Sequence, residues 1–352
     1  MKNKRIEYFD ALKGFAIILV VFCHHVVLNG ESILGNIVMS FAWAAVPCFF
    51  MVTGGLLHKA KEFSWKKWLI RMFKIYAGMV VWKLLYWIFY TIIGDVSTSI
   101  GELINYLFLM GKIVGVDTGP IWFIETYLQI LLFFPITYQL YSRSKIGYTV
   151  FLLGYTFVFG ILRNAMCLVG IDVEPLMSLT SIFSESTNML FYCILGVLLL
   201  HYRQEITDYF NAKSLRKWIP LILIIIGGIG MMLIKYSYTG SFRWYGIYVE
   251  DGYNRISTIL MAVGLYLSFS LEIIPNKCTS LLARLGSHTM GIFYLHYPVM
   301  IVLKWIVAKL VVNIYDYYSF QLNVIQTLVV VVICCGITVV AKKIPIVKNL
   351  FA

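Results

Sequence analysis

The chain has 352 residues, 60% of them hydrophobic and only 13% charged, with a mean hydropathy of +0.82. Apolar runs recur along its whole length, which excludes a soluble globular protein and makes lipid the solvent. The net charge of +12 is no sign of nucleic acid, because the basic residues sit in short segments between apolar runs, the pattern that orients a membrane protein.

The runs are long and continuous, so they read as helices and not as barrel strands. The expected fold class is all-α: a polytopic membrane protein of about ten transmembrane helices in one bundle, a single domain over 1–352, with both termini cytoplasmic. Spans are expected near 11–29, 33–57, 69–93, 120–141, 147–169, 187–202, 217–236, 255–274, 288–311 and 322–341. The segment 101–111 is too short to cross and is expected to be interfacial or re-entrant on the outer side. With the N-terminus inside, most of the 29 Lys and Arg fall in inner segments, and the outer loops hold acids such as Glu31, Asp117, Glu250 and Asp251. The opening MKNKR looks like the start of a signal peptide, but no small-residue cleavage site follows, so the first span is expected to be retained. The 7 cysteines have no metal-ligand spacing and read as small apolar residues; no metal is expected.

The first span carries a cation and an imidazole. Lys13 and His24 are 11 residues apart, about three turns plus 20°, so they share one helix face and lie about 16 Å apart along the axis. Ionisable groups inside a membrane helix are costly and by default mark a site. His25 points about 100° away and is expected to pack against a neighbour. Span two ends in Thr53, Gly54 and Gly55, small residues suited to close helix packing.

The following loop is the most basic part of the chain, with Lys66, Lys67, Arg71 and Lys74 along one side of span three. It reads either as inner-side anchoring on anionic headgroups or as a phosphate-binding patch for a nucleotide-bearing cofactor, with Arg71 and Lys74 reaching deepest. Lys83 in span three, Glu125 in span four and His24 are expected at one level of the hydrocarbon core. Two readings of Glu125 stand: a structural ion pair with Lys83, or an acid that orients the His24 imidazole. At span nine, Ser287 or Thr289 is expected to cap the start, and Tyr294 and His296 enter from the inner side. His58, His201 and His288 are given no role. Trp244, Tyr245, Tyr248 and Tyr253 of one outer loop suit either sugar stacking or the membrane interface. Arg163 and Arg255 could contact an acidic glycan or pair with Glu174 and Asp251.

Taken in order, these residues resemble the integral-membrane acyltransferase-3 family. The resemblance rests on Asp10, Lys13 and His24; on Pro47, Phe49, Phe50, Thr53 and Gly54; on Arg71 and Lys74; on Trp122, Phe123 and Pro135; and on Gly286, Gly291, Tyr294, His296 and Pro298. Lysine stands at position 13 where many members have arginine. The resemblance implies transfer of an acyl group, most often acetyl from acetyl-CoA, to a hydroxyl of an extracytoplasmic or lipid-linked glycan at a bacterial cytoplasmic membrane. The residue reading and the resemblance together make His24, Glu125 and Lys13 the expected catalytic residues, and Lys13, Arg71, Lys74, Tyr294 and His296 the expected acyl-CoA contacts. Expected partners are acyl-CoA, the glycan or lipid-linked sugar acceptor and the bilayer, with no nucleic acid. Lacking the outer hydrolase-like domain of many relatives, the chain is expected to act alone or to hand its product to a partner acyltransferase or glycan-assembly protein. A glycan exporter on the same fold and a small-molecule-sensing membrane module are the alternatives.

Overall fold

The structure is a computed structural model and describes residues 6–29, 33–59, 62–94, 96–109, 111–117, 119–162, 166, 186–239, 252–310, 320–345 and 347–351. Among the described residues there are helices and turns and no strands, so the chain is all-α. The helices are α1 (Glu7–Asn29), α2 (Ile33–Ala42), α3 (Ala45–His58), α4 (Trp65–Ile93), α5 (Ile100–Phe108), α6 (Ile121–Arg143), α7 (Lys145–Thr156), α8 (Ser186–His201), α9 (Arg203–Ala212), α10 (Trp218–Thr239), α11 (Ile256–Ser270), α12 (Asn276–Gly286), α13 (Thr289–Leu310) and α14 (Phe320–Ala341).

Each of the ten expected spans coincides with helix, but not all of these helices are long enough to cross. Among the described residues, 7 stretches pass on length and apolarity, or 8 if α8 and α9, bent by 64°, form one broken span. α11 has 15 residues, about 22 Å of helix against a hydrocarbon core of about 30 Å. α7 has 12 residues and runs on into a π-helical turn, Phe157–Leu162; most of the remaining expected span lies outside the described residues. The second span is broken at Trp43 and Ala44. Pro47 falls in the first turn of α3, where a missing N–H breaks no helical bond.

Two compact units form. The first comprises Met1–Ala60, Gln139–Thr289 and Asn313–Val329, the second Lys61–Tyr138, Met290–Val312 and Val330–Ala352.

In the first unit, glycines set the helix contacts. A Cβ on Gly14 would overlap the Leu282 carbonyl, and one on Gly286 would overlap the Asp10 carbonyl, so α1 and α12 touch backbone to backbone. Gly54 likewise lies against the Cys193 backbone and Gly196 against that of Met51, which joins α3 to α8. This is the close approach that small residues permit when lipid supplies no hydrophobic drive between helices. Cys48 and Cys193 are buried there as small apolar side chains, whereas Cys278 on α12 is exposed.

In the second unit, α5 is short because its sequence is amphipathic and capped. Ser99 and Glu102 form a capping box, and the Ser99 hydrogen bonds hold the Glu102 carboxyl below its ordinary value. Tyr106 and Leu107 bury with Ile113 and Val116, against Val80, Trp87 and Tyr90 of α4. Ile100, Ile104 and Phe108, spaced by four, stay exposed. That two-faced pattern agrees with a helix lying at the interface.

Ser287 and Thr289 stand where α12 gives way to α13. Ser287 Oγ donates to the Arg284 carbonyl (2.6 Å) and Thr289 Oγ1 to the Gly286 carbonyl (3.1 Å). Both hydroxyls serve the end of α12, whose last carbonyls lack helical partners.

Gly286→Val should cost about 1–3 kcal/mol by forcing α12 off α1. Gly78→Ala, where an added Cβ meets nothing within 4 Å, should not lower stability. Thermal unfolding in detergent compares the two; equal melting temperatures would contradict the close-contact account.

Candidate active site

The residues singled out from the sequence fall into both units, and each unit brings some of them together. In the first unit, α1 runs unbroken from Glu7 to Asn29, so the shared face of Lys13 and His24 is kept. The Lys13 ammonium lies 2.8 Å from Asp10 Oδ1, and the Asp10 side chain is nearly buried. Because Gly286 packs on the Asp10 backbone, two separated parts of the recognised pattern meet at this ion pair. His24 is partly buried near the far end of α1, and His25 is buried, as expected of a packing residue.

In the second unit, Lys83 Nζ lies 2.6 Å from Glu125 Oε1, with the lysine side chain 2% exposed. The Lys83–Glu125 ion pair, one of the two readings of Glu125, is present. Its surroundings are aromatic: the ammonium stands 5.4 Å from the Tyr106 ring centroid. Arg71 Nη2 donates to the Tyr127 hydroxyl (2.5 Å), and its guanidinium stands 5.8 Å from that ring's centroid. Arg71 and Lys74 are otherwise exposed, as are Lys66 and Lys67. A groove of about 350 Å³ runs between α4 and α6 beside Arg71, lined by Met72, Phe73, Tyr76, Leu128, Gln129 and Leu132.

Two prolines organise the rest. Pro135 has no N–H to offer the Leu131 carbonyl, and Pro298 has none for the Tyr294 carbonyl. In hydrocarbon such a carbonyl needs another donor. α4 supplies both: Trp68 Nε1–H donates to Leu131 (2.7 Å) and Tyr86 O–H donates to Tyr294 (3.0 Å). The Trp82 ring stacks on Tyr294 at 4.8 Å and 6°. Tyr294 is thus fixed at its carbonyl and its ring. One helical turn on, Tyr297 O–H donates to Asp117 Oδ2 (2.5 Å), and the Gly119 N–H donates to Oδ1 (2.8 Å). Gly119 has φ +23, and a Cβ there would press on the Tyr297 ring, so the loop needs glycine on both counts.

His296 is fully buried between these anchors, its Nδ1 3.1 Å from the Ile292 carbonyl. A carbonyl only accepts, so Nδ1 carries a proton in this contact. Gly291 of the same helix packs on the Thr338 side chain.

Sequence reading missed Tyr127, Trp68, Trp82, Tyr86 and the Asp117–Tyr297 bond. The signal for two of them was available: a proline inside an apolar helix leaves the carbonyl four residues earlier in need of a donor. Among the described residues, no group of three or more His, Cys, Asp or Glu stands ready to hold a metal ion.

Fold and residues together define a polytopic helical membrane protein with paired intramembrane charges and aromatic-anchored imidazole and tyrosine side chains. A family model described as an acyltransferase domain, acyltransferase-3, matches residues 6–342. The chain belongs to that family and is a membrane acyltransferase. No curated protein matches it. No solved structure does either.

Tyr86→Phe should cost about 1–3 kcal/mol by leaving the Tyr294 carbonyl without its donor. Pro298→Ala restores an N–H to that carbonyl, so Tyr86→Phe made in the Pro298→Ala background should cost much less. A double-mutant cycle by thermal unfolding reads the coupling; additive effects would contradict the donor role. Lys83→Met should destabilise by about 3–5 kcal/mol, and adding Glu125→Gln should recover most of it. A double variant no more stable than the single one would contradict a charge-pairing role.

Proposed function

We propose that the protein transfers an acyl group, acetyl in the first instance, from cytoplasmic acyl-CoA to a hydroxyl of an extracytoplasmic or lipid-linked glycan, in a bacterial cytoplasmic membrane. The observation that carries this reading is α1: a cation paired with Asp10 at one end and the His24 imidazole about three turns further along the same face. That spacing suits a protein whose donor is presented on one side and whose acceptor is on the other.

His24 is the base or the relay. As base, it takes the proton of the acceptor hydroxyl; the oxygen attacks the thioester carbonyl, the C–S bond breaks, and CoA leaves as the thiol once protonated. As relay, the imidazole nitrogen carries the acyl group between thioester and hydroxyl. Lys13, held by Asp10, places positive charge where negative charge gathers on the thioester oxygen and the phosphates. Arg71 and Lys74 give the CoA phosphates guanidinium and ammonium donors; Tyr127 orients Arg71. Tyr294 and His296 line the donor's path on a helix fixed by α4. Glu125, paired with Lys83, is the acid that serves in this reading to favour the reactive form of the imidazole.

The direct test supplies detergent-purified protein in nanodiscs with radiolabelled acetyl-CoA and a membrane glycan fraction. Label should move to the glycan. Failure to move label from acetyl-CoA or from longer acyl-CoAs would overturn the reading. Arg71→Gln should raise the KM for acyl-CoA about tenfold with a smaller effect on kcat, as expected for loss of a bidentate anion contact. Glu125→Gln should lower kcat by about 10²-fold if the acid assists the imidazole; unchanged turnover in a folded Glu125→Gln protein would leave that acid a purely structural partner of Lys83.

A further inference from the structure

The second unit closes over two residues that the proposed reaction assigns to the donor. Tyr294 is 2% exposed and His296 0%, so neither side chain is open to an acyl-CoA in this structure. Part of the unit has to move before the donor reaches them.

Gly291 of α13 packs on Thr338 of α14, so the start of α13 and the end of α14 lie together. Tyr294 is three residues further along α13, about 5 Å. In the expected orientation this is the cytoplasmic side, where acyl-CoA exists. Beyond Ala341 the chain does not run on as α-helix, because Pro345 has no N–H and disfavours helical backbone at Ile344. The chain turns instead and forms a short 3-10 helix, Val347–Phe351, which packs on α4. There the Leu350 carbonyl accepts from Trp82 Nε1–H (3.2 Å), and the Trp82 ring is the one stacked on Tyr294 at 4.8 Å. One indole thus links the segment to the donor residue: its N–H holds Leu350 and its face covers Tyr294.

The elements around Tyr294 are unequal in hold. α4 has 29 residues and α13 has 22, and Tyr86 ties them together at the Tyr294 carbonyl. Val347–Phe351 has 5 residues, with Lys348 exposed on it and Ile344 exposed just before it. A short segment with part of its surface in solvent opens more readily than a long tied helix. It also lies beyond residue 342, where the match to the family ends.

We propose that Val347–Phe351 is a latch on the donor site. Docked on Trp82, it holds the indole over Tyr294; released, it frees the indole and admits acyl-CoA from the cytoplasmic side. This rests on the acyl-transfer reading and deepens it by giving that site a closed state. A site that is mostly closed binds its ligand more weakly in proportion to the open fraction, so loosening the latch tightens binding.

The test measures binding of radiolabelled acetyl-CoA to the detergent-purified chain, to Trp82→Phe, which keeps a ring on Tyr294 and removes the N–H, and to a chain ending at Lys343. Trp82→Phe should bind about threefold tighter, the scale of one lost hydrogen bond. The shortened chain should bind about tenfold tighter, and adding Trp82→Phe to it should gain nothing more. A segment that serves packing alone predicts a lower melting temperature with equal or weaker binding in both variants, and that result overturns the latch. Trypsin reads the segment in the unaltered protein. Lys348 sits within the 3-10 helix, so cleavage after it needs local opening. Saturating acetyl-CoA should speed that cleavage severalfold; unchanged or slower cleavage overturns the proposal even if neither variant folds. Equal binding by the wild type and the shortened chain sinks only the latch. Failure of both to bind any acyl-CoA sinks the enzyme reading, and the latch with it.

Discussion

In hydrocarbon no backbone carbonyl can be left to water, and the second unit is organised around that constraint. α6 and α13 each contain a proline, and each proline deprives the carbonyl four residues earlier of its helical donor. α4 answers both, with Trp68 at one end and Tyr86 toward the other. Three helices are tied together by two hydrogen bonds that neither a soluble protein nor a proline-free bundle would need. Tyr294, the acceptor of one of them, then has a fixed backbone and a ring stacked on Trp82. The buried His296 lies on the same helix, two residues along. Rigidity at these residues follows from repair of a backbone defect.

The first unit reaches the same end by another route. Its helices touch through glycine, and the contact of Gly286 with Asp10 brings the start of α1 under the end of α12. Asp10 is thereby nearly buried, where an unpaired charge would be costly, and Lys13 supplies its partner. The cation at the base of α1 is positioned by packing, and the register of an unbroken helix then sets His24 on the same face.

Much of this was legible in the sequence because two rules are strict in lipid. Charges must pair, which made Lys83 one of two partners open to Glu125, and small residues must mark close contacts, which foretold Gly54. The all-α fold followed from run length alone. Less legible was anything that depends on a partner distant in the chain. Pro135 and Pro298 announced two orphaned carbonyls, but nothing local identified Trp68 and Tyr86 as the donors. Ser287 and Thr289 stand between two helices, and each hydroxyl donates to a carbonyl of the earlier one. Among the described residues fewer helices are long enough to cross than the ten spans expected, since α11 has 15 residues and the expected span 147–169 runs past Leu162, largely outside them.

The central claim is that the His24 imidazole performs the transfer. Wild type and His24→Ala, purified alike and matched for folded fraction, are given radiolabelled acetyl-CoA, and binding and release of acetate or acetylated product are followed together. The account expects the variant to bind acetyl-CoA as the wild type does and to lose turnover by about 10²-fold or more. Turnover by a folded His24→Ala protein at the wild-type rate would contradict it.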